Sequence, residues 1–164
     1  MAFRAMNRGT EMLDHQGWKA RAAGLRFRHQ AFIDGTFTDA VSGKTFDSIN
    51  PATGAVLAQV AECDAADVDR AVTAARRAFD DGRWSRLHPG ARKEVLLRLA
   101  RLMERQRHEL SVLESIDSGK PIYDCETVDI PETIHVLRWH AELIDKIYDQ
   151  VAPASDDHIA LVLR

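Results

Sequence analysis

The sequence predicts an α/β fold in which short β pieces come first and a helical layer follows. Three observations predict it. Apolar residues flank tight-turn pairs through the opening third, the apolar period changes to helical spacing at Asp64, and prolines and glycines then punctuate a run of amphipathic stretches.

A chain of 164 residues, 45% hydrophobic and 29% charged, has the composition of one folded domain able to bury a core. The formal net charge is −3, with basic and acidic residues interleaved. That leaves no electrostatic case for nucleic acid and makes a small molecule or another protein the expected partner. The two cysteines, Cys63 and Cys125, are too few for a disulfide framework and lack the paired spacing of a zinc site. They read as reduced thiols of a cytoplasmic protein. No apolar run approaches the roughly 20 residues that span a bilayer, so no membrane embedding is expected. Arg4, Arg8, Arg21, Arg26 and Arg28 invite a transit-peptide reading, but Glu11 and Asp14 interrupt them and no secretory apolar core is present.

Each element has a local cause. Residues 10–28 carry Met12, Leu13, Trp18, Ala22 and Leu25 at helical spacing and predict an amphipathic extension. Ala31 to Phe37 surrounds Asp34-Gly35, a pair that accepts the positive φ angles of a hairpin turn. Thr45 to Ile49 and Val56 to Val60 read as strands around the turn Asn50-Pro51-Ala52-Thr53-Gly54. A helix capped by Asp64 and stopped by Gly82 follows, with Val68, Ala71, Val72, Ala75 and Phe79 as its apolar stripe. His88-Pro89 opens the next helix, with Ala91, Val95, Leu99, Leu102 and Met103 as the expected buried stripe. Leu110, Leu113 and Ile116 continue to the stop at Ser118-Gly119-Lys120-Pro121. A short helix is expected over 122–130. Pro131 then starts a longer one, with Ile134, Leu137, Ala141, Ile144 and Tyr148 on one face and its end near Tyr148. After Ser155-Asp156-Asp157, His158 to Leu163 reads as a strand buried on both faces.

Motifs that would carry chemistry fail on spacing. Ser118-Gly119-Lys120 lacks the upstream glycine of a phosphate loop and is followed by Pro121 where a hydroxyl should hold magnesium. No glycine-rich dinucleotide turn follows a strand. His108-Glu109 begins like a zinc-protease helix, but Val112 stands where the second histidine belongs, so both read as surface residues. His135 and His140 point to different faces of their helix. Cys125 sits among Asp124, Glu126 and Asp129, whose charge disfavours a thiolate, and a structural role is expected.

Four segments, in order, carry a resemblance: Ala31-Phe32-Ile33-Asp34-Gly35, Ile49-Asn50-Pro51-Ala52-Thr53-Gly54, Asp67 to Arg76, and Leu113 to Pro121. Together they resemble the N-terminal region of NAD(P)-dependent aldehyde dehydrogenases. The leading helix, Asp129-Ile130-Pro131, Arg138-Trp139 and Ile144 to Tyr148 are similar to the subgroup that oxidises γ-glutamyl-γ-aminobutyraldehyde in putrescine breakdown, a form of polyamine catabolism. Betaine, phenylacetaldehyde and general aldehyde dehydrogenases share much of this region.

The resemblance implies an incomplete α/β unit, the β meander and helical layer of the cofactor-binding domain. Its parts are an extension over 1–30, the N-terminal part of the NAD(P)-binding domain over 31–147, and the start of an oligomerisation arm over 148–164. It implies a parent enzyme that oxidises a small-molecule aldehyde to a carboxylic acid with NAD or NADP, acts as a homo-oligomer in the cytoplasm, and uses a cysteine thiolate, an oxyanion donor and a general base. None of those three matches a residue here, so no catalytic or cofactor-binding residue is assigned and the chain alone is expected to be inactive. The family's Pro-Trp-Asn segment is expected just after Arg164. The resemblance does assign one site, a monovalent cation held by main-chain oxygens at Ser48 and Ile49 together with Asp117. The rival reading is a non-enzymatic interaction module that pairs with a full-length subunit.

Overall fold

The computed structural model of the chain describes residues 12–163. Arg4, Arg8 and Glu11, which entered the reading of the leading segment, and Arg164 lie outside the described residues. The extension forms α1 (His15–Ala23), shorter than the 10–28 expected. Asp14 caps its start by accepting from Gly17 N at 2.7 Å, and Gly24 ends it.

Strands β1 (Ala31–Ile33) and β2 (Thr36–Thr38) pair antiparallel, with Phe32 opposite Phe37. Asp34 and Gly35 supply the turn at φ 53° and 80°. Strands β3 (Thr45–Ile49) and β4 (Val56–Ala61) form a second antiparallel pair. Helix α2 (Ala65–Asp80) starts in a reciprocal cap: Asp64 accepts from Ala66 N at 2.9 Å, while Asp67 accepts from Asp64 N at 3.2 Å. The buried Asp67 carboxylate also accepts from Val41 N at 3.0 Å, tying the helix to the loop after β2.

Of the expected stripe of α2, only Ala71 turns inward. Val68, Val72 and Phe79 are exposed, whereas half-buried Ala71, Ala74 and Ala78 turn toward the β1–β2 hairpin. The small side chains permit close approach, and Arg77 pairs with Asp34 at 2.7 Å across the contact. Helix α3 (Pro89–Arg105) repeats the pattern: Val95, Leu99 and Leu102 are exposed, and Ala100 and Met103 face inward. Both helices have two apolar faces, and within this chain the alanine-bearing face found the partner.

Helix α4 (Arg107–Ser118) follows after a break at Gln106. One helical turn, α5 (Ile122–Asp124), and a π-helical turn (Cys125–Asp129) lead into α6 (Ile130–Leu143). The core lies where α3 meets α6, with Ala100, Ile130 and Ile134 buried and Met103, Leu110 and Leu137 against them. Alanine at 100 and 141, both fully buried, lets backbones approach closely. Helix α6 ends at Leu143, short of the expected Tyr148, which is exposed. Strands β5 (Gln150–Ala152) and β6 (Ala160–Val162) then pair antiparallel. The expectation that the last strand is buried on both faces is overturned: Ile159, Leu161 and Leu163 are 78%, 60% and 71% exposed, because the described residues supply no layer that covers them. Among the described residues no helix is long and apolar enough to cross a membrane.

Candidate cation site at the junction of β3 and α4

Ser48, with Ile49 next to it at the end of β3, meets Asp117 of α4 at one corner. Ser48 Oγ donates to Asp117 Oδ1 at 3.0 Å across 69 residues. The strand side is shaped by an irregularity: Ser48 pairs with Ala58 but Ile49 with Val56, so Leu57 is an extra residue that bends β4 just where β3 ends. The helix side is shaped by Gly119, which takes φ 78° and closes α4 with its N–H on Ser115 O at 3.0 Å. A Cβ at 119 would lie 2.8 Å from Pro51 Cγ, so the turn after β3 sits directly on the end of α4.

The corner is electronegative. A helix C-terminus carries partial negative charge in its unpaired carbonyls, and Asp117 adds a carboxylate in the last turn. Lys120, the nearest base in sequence, turns away to pair with Asp129, whose hydrogen bond raises the lysine pKa. Ile49 has an exposed side chain and can contribute only its main-chain oxygen. Such a set suits a hard ion of low charge. Among the described residues no group of three or more His, Cys, Asp or Glu could hold a metal ion.

The other sequence candidates separate. Cys125 is fully buried in the π-turn, and burial first, then Asp129 and Glu114, pushes its thiol pKa up, which keeps it protonated. Cys63 is exposed. His135 and His140 are both exposed, the latter's Nδ1 lying 2.9 Å from Val136 O. Ser155, Asp157 and His158 come together in the β5–β6 turn, but serine and aspartate crowd the same ring nitrogen, Nδ1, at 2.9 and 2.8 Å. A catalytic relay needs opposite nitrogens, so this is turn chemistry.

His108 corrects the surface reading. It is buried, its Nδ1 3.0 Å from Glu126 Oε1, with Arg107 Nε 2.8 Å from the same oxygen. Neither approach makes a hydrogen bond, so Arg107 and Glu126 pair by charge there, while Arg107 donates from its other nitrogen to the Glu126 carbonyl at 2.7 Å. The chain spacing between 107 and 126 has no helical or strand period that could have announced the contact.

The family model for aldehyde dehydrogenases matches residues 37–164. The chain belongs to the aldehyde dehydrogenase family. It is 58% identical over 155 residues to the aminoacetaldehyde dehydrogenase of Pseudomonas aeruginosa, covering 94% of this chain and 31% of that protein. The indole-3-acetaldehyde dehydrogenase of P. syringae, solved with NAD+ and IAA, superposes with a TM-score of 0.89 at 49% identity, covering 92% of this chain and 30% of that one. The γ-glutamyl-γ-aminobutyraldehyde dehydrogenase of Burkholderia cenocepacia superposes with a TM-score of 0.84 at 53% identity, covering 85% and 28%. The chain thus spans about a third of the length of the relatives it matches.

In this family the cofactor is a nicotinamide dinucleotide, and the residues present do not fit it by themselves. The sheets described are three antiparallel pairs, with no parallel strand edge and glycine turn against which a pyrophosphate could lie.

Proposed function

We propose that this chain is the N-terminal part of an NAD(P)-dependent aldehyde dehydrogenase that oxidises a nitrogen-bearing aldehyde, γ-glutamyl-γ-aminobutyraldehyde in putrescine breakdown being the substrate implied by the sequence. The observation that carries it is the pair of relatives above 50% identity, whose names specify aminoacetaldehyde and γ-glutamyl-γ-aminobutyraldehyde. The reaction takes an aldehyde and water to a carboxylic acid, and the nicotinamide accepts the hydride. The contribution of these residues is architectural. The β3–α4 corner holds a monovalent cation through Ser48, Ile49 and Asp117, and residues 148–164 begin the arm through which identical subunits assemble in the cytoplasm.

Purified chain with aminoacetaldehyde and NAD is expected to yield no reduced nicotinamide above blank. A product extended past Arg164 should turn over nitrogen-bearing aldehydes in preference to benzaldehyde. Turnover by the 164-residue chain, or a preference for benzaldehyde, overturns the reading. For the cation, potassium should raise the melting temperature of the extended enzyme, and Asp117→Ala should abolish the rise; an unchanged response removes the site.

The exposed Ile159, Leu161 and Leu163 favour a second reading, in which the chain pairs with a full-length subunit as an interaction module. Co-expression with that subunit and size-exclusion chromatography test it: a mixed assembly supports the module, separate elution dismisses it.

A further inference from the structure

Helix α1 rests on α4 through very little. Trp18 is its one buried side chain, set edge-on against the His108 ring with centroids 5.2 Å apart and planes at 86°. Beside that contact runs a groove whose lining includes Leu13, Gly17, Ala20, Gly24, Leu25 and Glu109, in which Leu13 and Leu25 are only half-buried and the glycines and alanine offer the helix little to pack. Nine residues are too few for a helix to persist alone in water, and Gly17 in its first turn weakens it further. The helix therefore exists because Trp18 docks.

What Trp18 covers is unusual. His108 Nδ1 also lies 3.0 Å from the buried Glu126 carboxylate, which Arg107 faces too, and Glu126 belongs to the π-turn. Helix α1 is the outer wall of this charged cluster, and its departure would admit water to His108.

We propose that α1 is a releasable clasp: a two-state segment, docked helix or free coil, latched by Trp18 over the Arg107–His108–Glu126 cluster. It opens without unfolding the α3–α6 layer, because the buried apolar residues of that layer are supplied by α3 and α6. The inference stands independently of the reaction assigned above.

Hydrogen exchange of the full chain, read by mass spectrometry on peptides covering 12–25 and 89–143, tests it. In the unsubstituted chain the α1 peptides should exchange faster than those of α3 and α6. Trp18→Ala should accelerate exchange of α1 by more than about tenfold and leave α3 and α6 unchanged, since removing a buried tryptophan deletes the latch. Gly24→Ala works in the opposite direction. The residue has φ −90° and a Cβ there would meet its nearest atom at 3.6 Å, so alanine fits and narrows the free state. Exchange of α1 should slow by about two- to fivefold. Two results overturn the proposal: α1 exchanging in step with α3 and α6, or Trp18→Ala leaving α1 protection unaltered.

Discussion

The α3–α6 layer and the β5–β6 hairpin carry comparable apolar patterning and lie on opposite sides of the solvent boundary. Ile134 and Ala100 are closed off from water, whereas Ile159, Leu161 and Leu163 stand in it. Side-chain character does not separate them; the presence of a facing surface does. Two long helices present alanine-lined faces that approach one another, whereas two three-residue strands form a ribbon that the described residues leave largely uncovered. Burial stabilises only where both sides exist, so the helical layer holds this chain together and the hairpin contributes an unsatisfied apolar surface.

The contrast can be broken by substitution. The largest effect is expected in the layer, from Glu126→Ala. It leaves the buried Arg107 guanidinium facing no counter-charge, and about 3–5 kcal/mol should be lost. Urea denaturation should show a lower midpoint with an unchanged slope. A loss below about 1 kcal/mol would mean the cluster is as loosely held as a surface pair. Next comes Gly119→Ala, which places a side chain at φ 78° and against Pro51, costing about 1–3 kcal/mol by the same measurement. A neutral result would show the β3–α4 corner to be slack. On the hairpin, Leu161→Ser should change stability by less than about 0.5 kcal/mol. Its effect should appear in light scattering: the unsubstituted chain self-associates through this exposed edge and the variant does so less. A monodisperse, protease-resistant monomer before substitution would dismiss that role for the hairpin.

Elements with a local cause were legible. The Asp34-Gly35 turn, the strand pair around Asn50–Gly54, the Asp64 cap, Pro89 at the first helical position and the Gly119 stop each follow from backbone chemistry within a few residues. Which face of α2 and α3 turns inward was not legible, because both faces are apolar and the choice depends on what lies opposite. The end of α6 was placed too late for a related reason: Ile144 and Tyr148 keep the helical period after the buried partner has run out. At the candidate site, the meeting of Ser48 with Asp117 entered through family resemblance, since no period connects them. The Arg107–His108–Glu126 cluster was missed for the same lack of a local signal.

The smallest expected effect lies at the edge of the layer, where α3 and the end of α6 are joined by charge. Lys93 donates to Glu142 at 2.6 Å and to Asp145 at 3.1 Å, and Lys146 donates to both carboxylates. Hydrogen bonds from Lys146 first and Lys93 second pull the Asp145 carboxyl from 3.8 down to about 2. A carboxyl with a depressed folded pKa binds fewer protons folded than unfolded. Its contribution is therefore complete above the ordinary carboxylate value and is lost as pH falls through about 2. Because these groups face water, the effect on stability is slight and weakened further by salt. The sensitive readout is the titration of Asp145 followed by carboxyl NMR. A midpoint near 2 is expected, rising in Lys93→Ala because one of its two donors is gone. A midpoint at 3.8 in the unsubstituted chain would show that charge does not join the helices there, and that the alanine-lined apolar contact alone sets their approach.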